Sequence, residues 1–320
     1  MKKLIIALSA LGAAFTATAK ADIAVSGSAN VAYLATAGTG TNDEELAVGQ
    51  TVVFAMSTTT ASGMGISGGM TLSQDYDTNG SSTATGGQAV TFTTGGATIV
   101  VGDVEISDTT GSIGGVVNGP LDDASDLDTS VGTGFVDDDG MGVELTTAVG
   151  AASLNLSYVS NDGADNYGVV NSTTAGADSA MSASISLPMS GYTVTLGVAD
   201  SDTGEQSSGA TVSGAIGGGT VTVGYASVTT ITGNADITTA GDSDIIGATF
   251  VMSLDADTTI SVGMQNAKDA DSESHTQTDL SVSRALGGGA SVYLDVRSLT
   301  GDTAANADGT AIGFGTSVSF

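Results

Sequence analysis

Sixteen times along this chain an apolar residue recurs at every second position, and no helical pattern intervenes. Clear examples are Val52, Phe54 and Met56; Leu154, Leu156 and Tyr158; Tyr192, Val194, Leu196 and Val198; and Val292, Leu294 and Val296. Side chains alternate between the two faces of a strand, so each stretch reads as a strand with one apolar face. The 47 glycines and abundant Thr, Ser and Val weigh against long helices.

The connections between these stretches alternate in length. Seven are short turns, at 60–63, 94–96, 149–151, 188–191, 217–219, 255–257 and 287–289. Most are glycine-rich, which supplies the positive φ that tight hairpins need. Eight are longer and polar, at 35–46, 75–87, 105–139, 161–178, 200–208, 229–243, 267–275 and 299–309. Short turns at one end and long loops at the other describe an all-β, antiparallel up-and-down barrel that spans a membrane. An even strand count lets the sheet close without an edge. The alternate positions not held by large apolar residues carry small or polar ones: Ser26, Ser28 and Asn30 early, then Glu144, Asn155, Asp279, Asp295 and Arg297. Sixteen strands enclose an interior too wide for such side chains to fill. The polar face therefore lines a wet lumen and the apolar face meets lipid.

The beginning of the chain fits export. Met1, Lys2 and Lys3 precede an apolar run, followed by two overlapping A-x-A sites ending at Ala19 and Ala21. This is the layout of a secretory signal peptide over residues 1–21, leaving 22–320 as the barrel domain with Asp22 first. The run is too short to span a membrane as an anchor. There is no cysteine, so no disulfide framework supports the exported chain. Six Lys plus Arg stand against 35 Asp plus Glu, and mean hydropathy is +0.23. Three of those cations leave with the signal peptide; Lys268, Arg284 and Arg297 remain. Nucleic-acid binding is excluded, because it needs cations to neutralise phosphates.

The last eleven residues, 310–320, form the sixteenth of these period-two strands, through Ile312, Phe314 and Val318, and it stops at Phe320. With this strand, the signal peptide, the opening D-I-A-V-S-G-S-A and the V-G-D-V step at 101–104, the chain resembles a general bacterial porin, closest to the alphaproteobacterial type. The resemblance spans essentially the whole chain. It implies a cell outer-membrane location, a homotrimer of 16-stranded barrels and passive diffusion of small hydrophilic solutes. It also implies that Phe320 is read by the barrel insertion machinery. The family's third loop folds into the pore and narrows it; here that loop is 105–139, the longest connection. Such porins often set an arginine cluster on the wall opposite an acidic third loop. This chain departs from that pattern: Arg297 alone has lumenal parity, while Arg284 shares parity with Val282.

Asp103, Glu105, Asp108, Asp122, Asp123, Asp126 and Asp128 are the candidate pore constriction. An acidic eyelet concentrates cations and repels anions. Glu144, Asp279, Asp295 and Arg297 are the candidate pore wall. Asp137, Asp138 and Asp139 are a candidate Ca²⁺ site through carboxylate oxygens, although no full calcium-loop pattern is present. Otherwise no cofactor is implied. G-x-G-x-x-G at 63–68 and G-x-S-x-G at 65–69 lead into no helix, and His275 is the single histidine. No enzyme is expected from them. Two other readings remain at this point. One is a secreted, Ca²⁺-binding acidic all-β surface protein; the other is a substrate-specific channel on the same barrel.

Overall fold

The computed structural model describes residues 22–38, 44–77, 80–86, 89–104, 140–160, 179–201, 206–229, 242–268, 274–301 and 309–320. They form seventeen strand segments in a single sheet. In chain order these are β1 (Asp22–Gly38), β2 (Glu44–Thr59), β3 (Gly65–Asp77), β4 (Gly80–Gly86), β5 (Ala89–Thr94) and β6 (Ala97–Val104). Next come β7 (Gly140–Val149), β8 (Ala152–Ser160), β9 (Ser179–Met189), β10 (Tyr192–Ser201), β11 (Gln206–Ile216) and β12 (Gly219–Thr229). The last are β13 (Asp242–Ser253), β14 (Thr258–Lys268), β15 (Ser274–Gly287), β16 (Ala290–Gly301) and β17 (Gly309–Ser319).

β4 and β5 both pair with β3, at 71–77 and 65–68 respectively, so they are two pieces of one stave. The barrel therefore has sixteen staves, as the alternation predicts. Every neighbouring pair is antiparallel, and β1 pairs with both β2 and β17 to close the cylinder. Each buried backbone N–H and C=O thus meets a partner across the wall, which lipid would not supply. Several expected loops are partly ladder. The segment 75–87 contains β4, and Leu299 belongs to β16 and is buried there.

All seven predicted tight turns lie at the same end of the barrel as Asp22 and Phe320. At 217–218 both glycines have positive φ, 60° and 87°, the hairpin geometry that matches strand twist. At 190–191 the first of these places is held by Ser190, at φ 51°. The turn after β2 is held by Thr60, whose hydroxyl accepts from the Met64 amide at 3.0 Å.

The pleat sorts the side chains as the membrane reading requires. Ile23, Val25, Leu156, Tyr158, Leu196, Val198, Met264 and Leu294 are all exposed and lie on the outward alternate. Most inward positions hold small or polar residues, yet Leu34, Val159, Ile245 and Leu299 are inward, apolar and buried.

The seam is completed by the terminal residue. Gly27 and Phe320 exchange both backbone hydrogen bonds at 3.0 Å. The Phe320 ring lies over Gly27, with Cζ 2.7 Å from where a Cβ would stand. Glycine at 27 is what lets the ring lie flat on the wall.

Candidate functional site

Register brings the predicted inward charges together on two parts of the wall. On β15 and β16, Asp279 stands directly opposite Arg297. Arg297 Nε is 3.4 Å from Asp279 Oδ1, and both side chains are buried, at 4% and 0% exposed. Gln277 Nε2 donates to the other oxygen, Asp279 Oδ2, at 2.9 Å. Asp295, one alternate step from Arg297, is also fully buried. Beside it the Tyr293 ring crosses Gly315, its paired residue on β17, with the hydroxyl oxygen 2.5 Å from the position of a Cβ. Any larger residue at 315 would displace the ring.

The second group is on β7 and β8. Glu144 Oε1 accepts from Asn155 Nδ2 at 2.7 Å and from Thr146 Oγ1 at 3.2 Å. Counting β4 and β5 as one, β7 is the sixth stave and β15 the fourteenth. Eight of sixteen staves separate them, so the two groups occupy opposite sides of the cylinder.

Arg297 is the one cation on the inward alternate among the described residues. Arg284 faces outward at the turn end, where its Nη1 donates to Thr258 Oγ1 at 3.0 Å and lies 3.6 Å from Asp255 Oδ2. Lys268 ends β14 on the outward alternate, in step with Met264. Asp103 lies in β6 opposite Met141, on the alternate of Ile99 and Val101. The other constriction candidates, Glu105, Asp108, Asp122, Asp123, Asp126 and Asp128, fall outside the described residues, as do Asp137, Asp138 and Asp139. Among the described residues no three His, Cys, Asp or Glu gather as a metal site.

Sequence reasoning missed Tyr293, Gln277 and Thr146 as members of these groups. A signal existed for the first. Tyr293 shares the alternate of Asp295 and Arg297, whereas Tyr158, Tyr192 and Tyr225 sit on the outward one.

A closed sixteen-stave wall, apolar outside and polar inside, is a vessel for water across a membrane. A family model described as Gram-negative porin matches residues 7–304. The chain belongs to that family. Solved porin structures share the fold. A mutant of the Rh. blastica porin is 16% identical, with 93% of this chain and 100% of that one covered at a TM-score of 0.63. A porin refined at 1.8 Å resolution is 20% identical over 93% of this chain and 100% of its own, at 0.65. A loop-deletion form of OmpT, an outer membrane protein of Vibrio cholerae, is 13% identical over 94% and 99%, at 0.69. No curated protein sequence matches. The family and fold make this porin an outer-membrane channel protein. Its inner wall departs from an arrangement of opposed acidic and basic sides, because its lone inward guanidinium already faces a carboxylate.

Proposed function

We propose that this porin is a passive, cation-preferring diffusion pore for small hydrophilic solutes. The observation that carries the reading is the balance of fixed charge on the inner wall. Among the described side chains, Glu144, Asp279 and Asp295 stand against Arg297 alone, and Arg297 lies beside Asp279. Both charged sides of the cylinder are therefore net negative. A lumen with one sign of fixed charge raises the local concentration of the opposite ion. The acidic segment 105–139, if it narrows the pore, adds to the same sign.

The chain is exported with residues 1–21 removed, assembles as a homotrimer and is delivered to the insertion machinery through its Phe320 strand. These steps follow the family resemblance. Ca²⁺ at Asp137, Asp138 and Asp139 would neutralise part of the acidic segment from the outer side.

The test is planar-bilayer conductance under a KCl gradient. Stable steps with a cation-favouring reversal potential are expected, moving toward zero in Glu144→Gln/Asp295→Asn. An anion-favouring potential would refute the charge argument and keep the channel. Folded protein without any channel steps would refute the function.

A further inference from the structure

We infer that Arg284 and Asp255, on the outer face at the turn end, form a headgroup site for a phospholipid that carries both a phosphate and a primary ammonium. The site lies on lipid's side of the wall and has no part in conduction. Arg284 is the one outward cation at the turn end among the described residues. It stands opposite Thr258 in the β14–β15 ladder, and Lys268 ends β14 at the other rim. The 11 residues of β14, at about 3.4 Å each and tilted about 45°, rise about 25 Å, which is the height of a barrel's lipid-facing band. Arg284 and Lys268 therefore stand at its two edges. Ile260, Val262 and Met264 fill the outward alternate of β14 between them. Short turns of such barrels lie on the periplasmic side, so Arg284 is level with the headgroups of that leaflet.

The ion pair is open to that leaflet. Arg284 Nη1 lies 3.6 Å from Asp255 Oδ2, and the two side chains are 55% and 52% exposed. That separation is longer than a hydrogen bond, so each partner keeps capacity for a further one. The two groups are nonetheless held in place. Arg284 Nη1 donates to Thr258 Oγ1 at 3.0 Å. Asp255 Oδ1 accepts from the Asp257 and Thr258 amides at 2.9 and 2.8 Å. A guanidinium has five N–H donors, most of them still available here, and Asp255 Oδ2 keeps its lone pairs. Leu254 and Leu286 stand exposed close by in sequence, one just beyond β13 and the other near the end of β15. They offer apolar contact to the first carbons of an acyl chain.

The charges select the headgroup. A phosphate accepts charge-assisted hydrogen bonds from the guanidinium, and a primary ammonium donates one to Asp255 Oδ2. A zwitterionic headgroup with an N–H cation does both at once. A quaternary ammonium has no N–H to give. An anionic headgroup has no cation for Asp255, and it meets a turn whose two carboxylates, Asp255 and Asp257, outnumber the guanidinium. The chain as a whole, at −29, adds to that repulsion.

The experiment uses the folded mature protein in detergent micelles doped with equal amounts of phosphatidylethanolamine, phosphatidylcholine and phosphatidylglycerol of identical acyl chains. Native mass spectrometry counts the lipids retained. Phosphatidylethanolamine is expected to be retained about threefold to fivefold over phosphatidylglycerol, with phosphatidylcholine between them. Asp255→Asn still accepts the two turn amides, so the turn is kept while the ammonium loses its partner. It should remove the preference for phosphatidylethanolamine over phosphatidylcholine. Arg284→Gln should lower retention of all three. Phosphatidylglycerol held as well as phosphatidylethanolamine by the wild type overturns the inference without any variant. So does a headgroup ranking unchanged in Asp255→Asn, which would leave the pair a brace for the turn. Folded wild type that retains no phospholipid also overturns it, and points to a second copy of the chain on this face. A wild type that conducts no ions would defeat the pore reading and leave this site standing.

Discussion

Replacing Arg297 with Met tests the inner wall most directly, because it removes the one inward cation among the described residues and leaves a similar volume. Arg297 Nε and Asp279 Oδ1 are 3.4 Å apart, and neither side chain is more than 4% exposed. At an effective dielectric of about 20, a unit pair at that distance is worth about 5 kcal/mol. Removing one partner of a buried pair costs about 3–5 kcal/mol, because the other charge stays behind. The expected loss is therefore about 3 kcal/mol or more. The double variant Arg297→Met/Asp279→Asn should recover most of it, since an amide oxygen still accepts from Gln277. Urea titration in detergent micelles, read by loss of the folded, heat-modifiable gel band, gives the two numbers. The single variant should also shift selectivity further toward cations. A unit charge about 5 Å from the ion path in water is worth about 0.8 kcal/mol, or about fourfold in local ion concentration. A single variant within about 0.5 kcal/mol of wild type, or a double variant no more stable than the single, would refute the pairing as an energetic feature.

Other substitutions check other parts of the wall. Gly27→Ala places a Cβ 2.7 Å from Phe320 Cζ and 2.8 Å from the Thr51 carbonyl oxygen. The backbone oxygen has little room to move, so the melting temperature of the folded band should fall, and Phe320→Ala should restore only part of it. Gly315→Ala meets the Tyr293 ring at 2.5–2.6 Å and the Val31 carbonyl oxygen at 2.6 Å. It should displace the tyrosine and lower stability, which hydrogen exchange along β17 would register. In the turn between β13 and β14, Asp255 is held below the ordinary carboxylate range. The Asp257 amide is the main cause, with the Thr258 hydroxyl and amide and the Arg284 charge adding to it. Its contribution is full above the unfolded carboxylate's titration and is lost as pH falls through the lowered folded value. Exchange protection of the 255–258 amides should drop in acid, and Asp255→Asn should flatten that dependence.

The outward half of the fold was legible because lipid imposes one rule on every stave. Val194, Leu196 and Val198 have to face it, so the alternation survives in the sequence. The glycine pairs at 95–96 and 217–218 were legible because few other residues take that backbone geometry. β4 was not, since G-S-S-T-A-T-G offers no apolar alternate to read. Leu299 and Ile245 were not, since nothing in one strand's sequence says which buried neighbour an inward apolar residue will meet. Parity alone put Asp279 and Arg297 on the same face. That they stand directly opposite each other depends on the register of β15 against β16, which the turn at 288–289 sets together with a bulge between Ala285 and Gly287. Glu144 was read as a wall charge, but its hold on Asn155 likewise needed the β7–β8 register.

The seam between β1 and β17 also sets a clock. The other pairings join strands that follow one another in the chain, whereas Gly27 and Phe320 meet from nearly three hundred residues apart. For a flexible chain, closing that loop costs about 4 kcal/mol more than closing a four-residue hairpin. Fifteen joints of the cylinder can zip locally and early; the sixteenth waits for all of them. Contacts that form late in folding act mainly on how fast the native state is lost. A defect at Gly27 should therefore leave the time to first strand formation untouched and shorten the lifetime of the finished ring.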